Sequence, residues 1–213
     1  EHRLVTPLTD KEAVTFFDSL RTWRDRAITL LMWADGLRAC EILNLGLADV
    51  DFQNMSLKLL GKGRKERMMP LAESVAKVLL RYLACERPLR SSTRFFVVLK
   101  GPRRGQPMTY IGLHRVFRYH RAISTVLKAN PHRFRHTFGA NMTKCRVPLA
   151  VLAKMMGHNS PNTTLQYIQL NDQEMRQQVS LRQPVPLVER SCIAGVIERV
   201  DMNGRALIPL LPD

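Results

Sequence analysis

Acidic side chains are scarce in this sequence of 213 residues. Its 18 aspartates and glutamates stand against 33 lysines and arginines, for a formal net charge of +15. Apolar runs long enough to cross a bilayer are also lacking, although 45% of the residues are hydrophobic, and no secretory signal is visible. The excess of positive charge predicts a polyanionic partner, with nucleic acid as the first candidate. The alternative is a basic surface that is only solvated.

Cysteine is the other residue type that the sequence uses sparingly. The four cysteines are widely spaced and form no C-x-x-C pair, which argues against a zinc knuckle and against a disulfide framework. A reduced, cytosolic setting fits this pattern. The residues concerned are Cys40, Cys85, Cys145 and Cys192.

The positive charge is unevenly distributed along the chain. Beyond Ser180, four arginines are offset by four acids, so the whole excess lies upstream. This predicts a DNA-facing domain over residues 1–180 and a neutral tail over 181–213. The tail is expected either to form a hairpin that docks on another copy or regulates the site, or to pack on its own domain. The basic side chains singled out as DNA-binding are Arg64, Lys65, Arg67, Arg103, Arg104 and Arg133.

The hydrophobic pattern predicts a mainly helical protein with a small antiparallel β-sheet, an α+β fold. Thr9 and Glu12 have the spacing of a capping box at the start of a helix, and Gly36 is suited to end the apolar helix that follows. The glycines on either side of Lys62 predict a hairpin turn. Helices are predicted over 9–20, 22–34, 38–45, 72–83 and 109–127, and strands over 55–60, 67–71 and 94–99.

Three later helices are each predicted to begin at a proline, because the first helical position needs no amide proton. These prolines are Pro131, Pro148 and Pro161. Asn130 and Ser160 immediately precede two of them and are good N-caps.

The helix that begins at Pro131 carries the first candidate site residues. Positions 132, 135, 136 and 139 share a helical face, so His132, Arg135 and His136 are expected to point the same way. One alternative is a basic helix that contacts DNA without catalysis. A zinc site formed by the two histidines is a weaker alternative, since no acid or third ligand lies nearby in the sequence.

Tyr167 is the candidate nucleophile. It follows His158 by nine residues, two turns into a predicted helix, and its neighbours Thr163, Thr164 and Gln166 are polar. A phenol, imidazoles and a guanidinium in a basic chain indicate attack on a phosphate, because they supply a nucleophile, proton carriers and charge stabilisation.

Together with segments 36–41 (GLRACE) and 61–67 (GKGRKER), these motifs resemble the catalytic domain of the tyrosine recombinase (phage integrase) family over residues 8–179. The resemblance implies two phosphate-gripping arginines, a general acid in the hairpin, two histidines of the site and a tyrosine nucleophile. The arginines are Arg38 and Arg135, the general acid is Lys62, the histidines are His132 and His158, and the nucleophile is Tyr167. Glu41 matches the acidic position near the first arginine, and His136 a buttressing neighbour of the second.

The sequence departs from the family pattern at two places. Cys40 stands where a serine is usual, which should preserve size and weaken a hydrogen bond. The N-terminal core-binding domain that closes a clamp around DNA in relatives is expected to be absent from this chain, which puts autonomous site-specific binding in doubt.

The resemblance implies a site-specific recombinase or integrase of a mobile element or phage, acting through a covalent 3′-phosphotyrosine intermediate. The implied enzyme needs no cofactor, metal or ATP, because arginines and lysine supply the positive charge and the covalent link conserves the bond energy. The expected partner is double-stranded DNA, bound by a homo-tetramer or a tetramer with related recombinases in the bacterial cytoplasm near the nucleoid, without a membrane. The alternatives are a type IB topoisomerase-like enzyme and a catalytically idle DNA-binding relative.

Overall fold

The computed structural model describes residues 6–61, 66–89 and 91–157, and within them the chain forms seven α-helices and one three-stranded antiparallel sheet. The predicted fold class is therefore confirmed. The helices are α1 (Asp10–Ser19), α2 (Trp23–Ala34), α3 (Ala39–Asn44), α4 (Glu73–Cys85), α5 (Tyr110–Ser124), α6 (Pro131–Lys144) and α7 (Leu149–Met156). The strands are β1 (Val50–Asp51), β2 (Ser56–Leu60) and β3 (Glu66–Pro70).

Local capping signals set the starts of α1 and α6, as predicted. The Thr9 hydroxyl accepts a hydrogen bond from the Glu12 amide at 3.2 Å, and the Glu12 carboxylate accepts one from the Thr9 amide at 2.9 Å. Asn130 caps α6 by accepting from the Arg133 amide at 2.9 Å, and Pro131 is the first helical residue. At α7 the proline prediction is off by one residue, because Pro148 is the N-cap and the helix begins at Leu149.

Helix α2 lies at the centre of the core. Every residue from Ala27 to Trp33 is buried, and the helix packs against α4 on one side and α6 on the other. A group of aromatic rings joins α1, α5 and α6, with the Phe16 ring 5.4 Å from that of Phe117 and 5.1 Å from that of Phe134. This packing fixes α6, which carries the candidate site residues, against the middle of the domain.

Gly36 turns the chain sharply at the end of α2. Its φ of +64° is left-handed, and a Cβ placed on it would lie 2.3 Å from Cδ1 of Phe138. Only a glycine satisfies both demands without displacing the ring. The turn therefore brings the start of α3 close to α6.

The predicted hairpin is confirmed: β2 and β3 pair in antiparallel register, with Leu57 opposite Met69 and Leu60 opposite Glu66. Leu57 and Leu59 face the core, while Lys58 and Leu60 are exposed. Strand β1 adds a short third member through Val50, which pairs with Leu57. Two residues are too few to produce an alternating pattern, so the sequence did not indicate it.

The strand predicted over 94–99 is wrong. This segment makes only isolated bridges, at Arg94 and at Val97. Phe95, Phe96 and Val97 are all buried in succession, which the alternation of a half-exposed strand does not allow. Part of its backbone bonding goes to a side chain instead, since the Tyr82 hydroxyl donates to the Phe95 carbonyl at 3.2 Å and accepts from the Val97 amide at 3.1 Å.

Within the described ranges, no helix is long and apolar enough to span a membrane. The predicted helix at Pro161 and the predicted tail over 181–213 lie outside the described residues, so the proposed division at residue 180 stays a prediction.

Candidate active site

Arg38 enters the site because it is the N-cap residue of the short helix α3. Its backbone amide donates to Oε2 of Glu41 at 2.8 Å, and its Nη1 donates to Oε1 of the same carboxylate at 3.0 Å. Nη2 donates to the carbonyl of Gly157 at 2.9 Å, a residue 119 positions further along the chain. The side chain keeps 33% of its surface exposed, so its guanidinium can still reach a ligand.

Arg135 of α6 is more deeply placed, at 6% exposure. Its Nη1 donates to the carbonyl of Gly36, and its Nη2 donates to the carbonyl of Met156 at 2.6 Å. Nη1 also lies 3.9 Å from Oε2 of Glu41. The guanidinium therefore ties α6 to the turn after α2 and to the end of α7.

A third arginine, Arg67 of β3, meets the same carboxylate in a two-pronged ion pair. Its Nη1 lies 2.8 Å from Oε1 of Glu41 and its Nη2 lies 3.1 Å from Oε2. The Glu41 side chain is only 1% exposed. One buried carboxylate thus holds three guanidinium groups, and we call Arg38, Glu41, Arg67 and Arg135 the arginine cluster.

The electrostatics of the arginine cluster keep Glu41 ionised. Burial on its own would raise the pKa of Glu41. The hydrogen bonds from Arg67 and from the Arg38 amide, with the charges of Arg67 and Arg135, outweigh that cost and lower this pKa. The cluster therefore carries three positive charges and one negative charge, a net positive charge that favours an anion at this place.

His132 and His136 stack edge to face on α6, with ring centroids 5.0 Å apart, as their shared helical face predicted. Lost solvation and the positive charges of Arg135 and Arg133 lower the pKa of His132 from its ordinary value of 6.5. His136 is buried, and lost solvation followed by the charge of His132 lowers its pKa to about 4. Both imidazoles are neutral at pH 7, which allows His132, the exposed one, to accept a proton.

Three of the predicted catalytic residues, Lys62, His158 and Tyr167, lie outside the described residues, as do Arg64 and Lys65. Their neighbours in sequence are placed. Gly61 follows β2, and Gly157, whose carbonyl binds Arg38, directly precedes His158. Assignment of catalytic roles to Lys62, His158 and Tyr167 stays a prediction from the sequence.

The other predicted DNA-binding residues fall into two groups. Arg103 and Arg104 are exposed on the loop before α5. Arg133 donates from Nη1 to the carbonyl of Thr6, and Arg67 has both terminal nitrogens on Glu41. Contact of each with DNA stays a prediction, but the last two already have protein partners.

Sequence reasoning missed the role of Gly157 and of the ion pair between Arg67 and Glu41. Arg67 lies within a basic run, and the sequence therefore predicts that it binds DNA. The only sequence signal available was its position beside the hairpin that carries Lys62.

The structure lends no support to the zinc alternative. In the part of the chain that the structure describes, no group of three or more His, Cys, Asp or Glu side chains is placed to hold a metal ion. Cys40, the departure from the family's usual serine, is a free and exposed thiol.

Comparison with known proteins gives matches to tyrosine recombinases in sequence and to recombinases in structure. The tyrosine recombinase XerC of Chlorobaculum parvum is 37% identical over 154 residues, which is 68% of this chain and 45% of that protein. XerC of Staphylococcus haemolyticus is 30% identical over 160 residues, 75% of this chain and 53% of that protein. The chain thus spans about half the length of these relatives.

A crystal structure of XerA recombinase matches over 87% of this chain and 68% of its own, at 26% identity and a TM-score of 0.73. The XerH recombinase bound to palindromic difH substrate in a post-cleavage complex covers 85% of this chain and 54% of its own. At 22% identity and a TM-score of 0.69, the latter shows a shared fold. The model of the phage integrase family matches residues 7–174. The chain therefore belongs to the phage integrase family of tyrosine recombinases.

Proposed function

We propose that this chain is the catalytic part of a site-specific DNA recombinase that cleaves and rejoins DNA strands through a covalent 3′-phosphotyrosine link at Tyr167. The observation that carries the proposal is the convergence of Arg38 and Arg135 on the buried carboxylate of Glu41. Two arginines far apart in the sequence form one anion site, at the positions that the family pattern assigns to phosphate binding.

The arginine cluster is suited to the transition state of phosphoryl transfer. Attack of the Tyr167 oxygen on a phosphodiester builds negative charge on the nonbridging oxygens. Arg38 and Arg135 can grip those oxygens because guanidinium stays protonated and presents parallel donors. Glu41 offsets part of the mutual repulsion of the arginines, so they stay together before the phosphate arrives.

Proton transfer falls to groups on either side of the phosphate. Tyrosine has an ordinary pKa near 10 and must lose its proton as it attacks. His132 accepts that proton, and the lowered pKa of its imidazole keeps it in the neutral form that the role requires. Lys62, which lies between β2 and β3 in the sequence, donates a proton to the leaving 5′ oxygen, and His158 donates a hydrogen bond to the phosphate.

The link to Tyr167 conserves the energy of the broken phosphodiester bond. A 5′ hydroxyl of a second strand can therefore attack it and rejoin the DNA without ATP. No metal ion is needed, because arginines and lysine supply the charge stabilisation that magnesium gives other phosphoryl-transfer enzymes.

Double-stranded DNA is the proposed partner, with a formal net charge of +15 and the exposed Arg103 and Arg104 as supporting observations. The XerH structure, which holds that recombinase on its own DNA substrate, supports the same partner. We further propose that four copies assemble on paired DNA sites, and that the protein serves a phage or another mobile element.

The test uses the protein as its gene encodes it, together with a pool of nicked duplexes of randomised sequence, without metal or ATP. DNA that stays attached after boiling in detergent is recovered, amplified and sequenced, and the selected duplex becomes the substrate. We expect a covalent complex with the wild type, none with Tyr167→Phe, and an unchanged yield with Tyr119→Phe, an exposed tyrosine on α5. Attachment by Tyr167→Phe, or its absence with the wild type, would overturn the proposal.

Two further measurements on the selected duplex test whether the protein recombines DNA and how many copies assemble on it. Transfer of the attached strand to a second duplex of different length distinguishes recombination from the relaxation of supercoils. Analytical ultracentrifugation of the complex counts the protein copies, and fewer than four would contradict the proposed tetramer.

A further inference from the structure

Arg67 differs from Lys58, the basic side chain on the neighbouring strand, because it does not project into solvent. Its side chain is 15% exposed, against 47% for Lys58 on the neighbouring strand. Both terminal nitrogens of its guanidinium lie on the two oxygens of Glu41. A phosphate-binding arginine needs those same donors free.

We infer that Arg67 is a positioning residue for DNA cleavage, which acts by holding the Glu41 carboxylate in the orientation that presents Arg38 to the phosphate. This inference rests on the proposed function, since it names a further residue of that site. Arg67 contributes to the rate of cleavage without contacting DNA.

Arg67 matters for the orientation of Arg38 because both arginines share the carboxylate of Glu41. Glu41 has two oxygens, and Arg67 donates to both of them, while Arg38 uses its Nη1 on only one. Without Arg67 the buried charge of Glu41 would depend on Arg38 and on the more distant Arg135, at 3.9 Å. Glu41 would then draw the fork of Arg38 toward itself and compete with the phosphate for its donors.

The end of α7 packs on the same guanidinium groups. Gly157 has a φ of +61°, and a Cβ placed there would lie 2.9 Å from Nη1 of Arg67 and 3.2 Å from Nη1 of Arg38. Arg67 therefore touches two segments besides its own strand: the start of α3, through Glu41, and the end of α7, through Gly157. The start of α3 carries Arg38 and the end of α7 directly precedes His158, while Lys62 stands a few residues before Glu66, the first residue of β3.

The discriminating variant is Arg67→Lys, which keeps the charge and removes the fork. On the selected duplex we expect the first-order rate of covalent complex formation to fall roughly 10- to 100-fold, the scale produced by a misplaced catalytic group. The dissociation constant for the same duplex should stay within about twofold of the wild-type value. The slope of its logarithm against the logarithm of salt concentration should stay within about one unit of the wild-type slope. Arg21→Lys, on an exposed arginine between α1 and α2, is the matched control and should change neither quantity.

A double-mutant cycle tests whether the effect passes through Glu41. In the Glu41→Gln background no carboxylate remains for Arg67 to hold, so adding Arg67→Lys should slow cleavage by less than about threefold. Should Arg67→Lys alone fail to fold by circular dichroism, Arg67→Gln combined with Glu41→Gln gives the same comparison against Glu41→Gln.

The outcomes separate this inference from its rivals. Weaker binding with a shallower salt slope and an unchanged cleavage rate would make Arg67 a phosphate contact and overturn the inference. So would a cleavage rate equal to that of the wild type, or additive losses in the cycle. If the wild type forms no covalent complex at all, the proposed function fails first and the inference falls with it.

Discussion

Oε2 of Glu41 lies 3.9 Å from Nη1 of Arg135, within range of an ion pair and beyond that of a hydrogen bond. Within the described ranges, Arg135 donates hydrogen bonds instead to the carbonyls of Gly36 and Met156. The charge of Arg135 is thus shared with the arginine cluster, while its direction is set by the backbone. A lysine at position 135 would supply the same charge but not the planar pair of donors that orients the group between the two carbonyls.

Arg135→Lys should therefore damage both cleavage and the fold. We expect covalent complex formation on the selected duplex to slow by about 10²–10³-fold, as for loss of an oxyanion-type donor. The free energy of unfolding should fall by about 1–3 kcal/mol, because a buried carbonyl loses its donor. Quench-flow gels and urea titration measure the two effects. A cleavage rate within about threefold of the wild type would contradict the role of Arg135.

The rate of cleavage should depend on pH through His132. As a base, His132 must be neutral, and the pKa of its imidazole lies below the ordinary 6.5. The rate should therefore be constant at neutral pH and decline only as the pH falls below 6.5. His132→Gln should be slower and lose this acid limb, whereas His114→Gln, on an exposed residue of α5, should retain it. A limb centred above 6.5 would show that another group is the base.

Asp35, at the end of α2, should make stability depend on pH. Burial raises the pKa of its carboxyl to about 7. Because the folded-state pKa is raised, the associated stability is present below about pH 4 and is lost as the pH rises through 7. Asp35→Asn cannot ionise, so it should raise the free energy of unfolding at pH 8 by up to roughly 4 kcal/mol and change little at pH 4.

Urea titrations of Asp35→Asn and wild type at both pH values check this prediction. Comparison at equal pH cancels the opposite titration of His136, whose low pKa makes the wild type less stable as the pH falls from 6.5 toward 4. Asp51→Asn removes a carboxyl whose pKa is lowered by the Asn54 amide, so it should bring no gain at pH 8. An equal gain for Asp35→Asn at pH 4 and pH 8 would refute the ionisation argument.

Gly36→Ala and Gly101→Ala form a matched pair that isolates one packing contact. Both glycines have positive φ, but a Cβ on Gly36 would meet the Phe138 ring at 2.3 Å, while a Cβ on Gly101 meets no atom within 4 Å. Each alanine should cost about 1 kcal/mol for its backbone conformation. Gly36→Ala should cost about 1–3 kcal/mol more from overpacking, seen as a larger fall in the melting temperature. Equal falls would mean that Phe138 moves aside freely.

Signals that act over three or four residues were readable from the sequence. The capping box at Thr9, the proline and asparagine that start α6, and the glycines around the hairpin each predicted the element that the structure contains. The alternation rule failed at Phe95 and Phe96, because both rings are buried in a segment whose backbone bonds partly to a side chain. Periodicity cannot foresee that kind of tertiary partner.

The proximity of three predicted site residues was predictable from the sequence, but their contacts with the rest of the chain were not. Arg38, Glu41 and Arg135 were identified from the family resemblance, and the structure brings them together. The partnership of Arg67 with Glu41 spans 26 residues, and that of Arg38 with Gly157 spans 119. No local spacing encodes contacts of that length, so the sequence predicts only DNA binding for Arg67.

Among the described residues, the carbonyls of Gly36 and Met156 orient Arg135, and every amino acid has a main-chain carbonyl. Substitution at position 156 leaves that acceptor in place as long as α7 keeps its path, whereas an acceptor on a side chain would be lost by a single change. The orientation of this guanidinium therefore depends on the backbone geometry at these two acceptors more than on the side chains beside them. Position 156 can therefore change without loss of its acceptor, whereas position 36 still requires glycine because a Cβ there would meet the Phe138 ring.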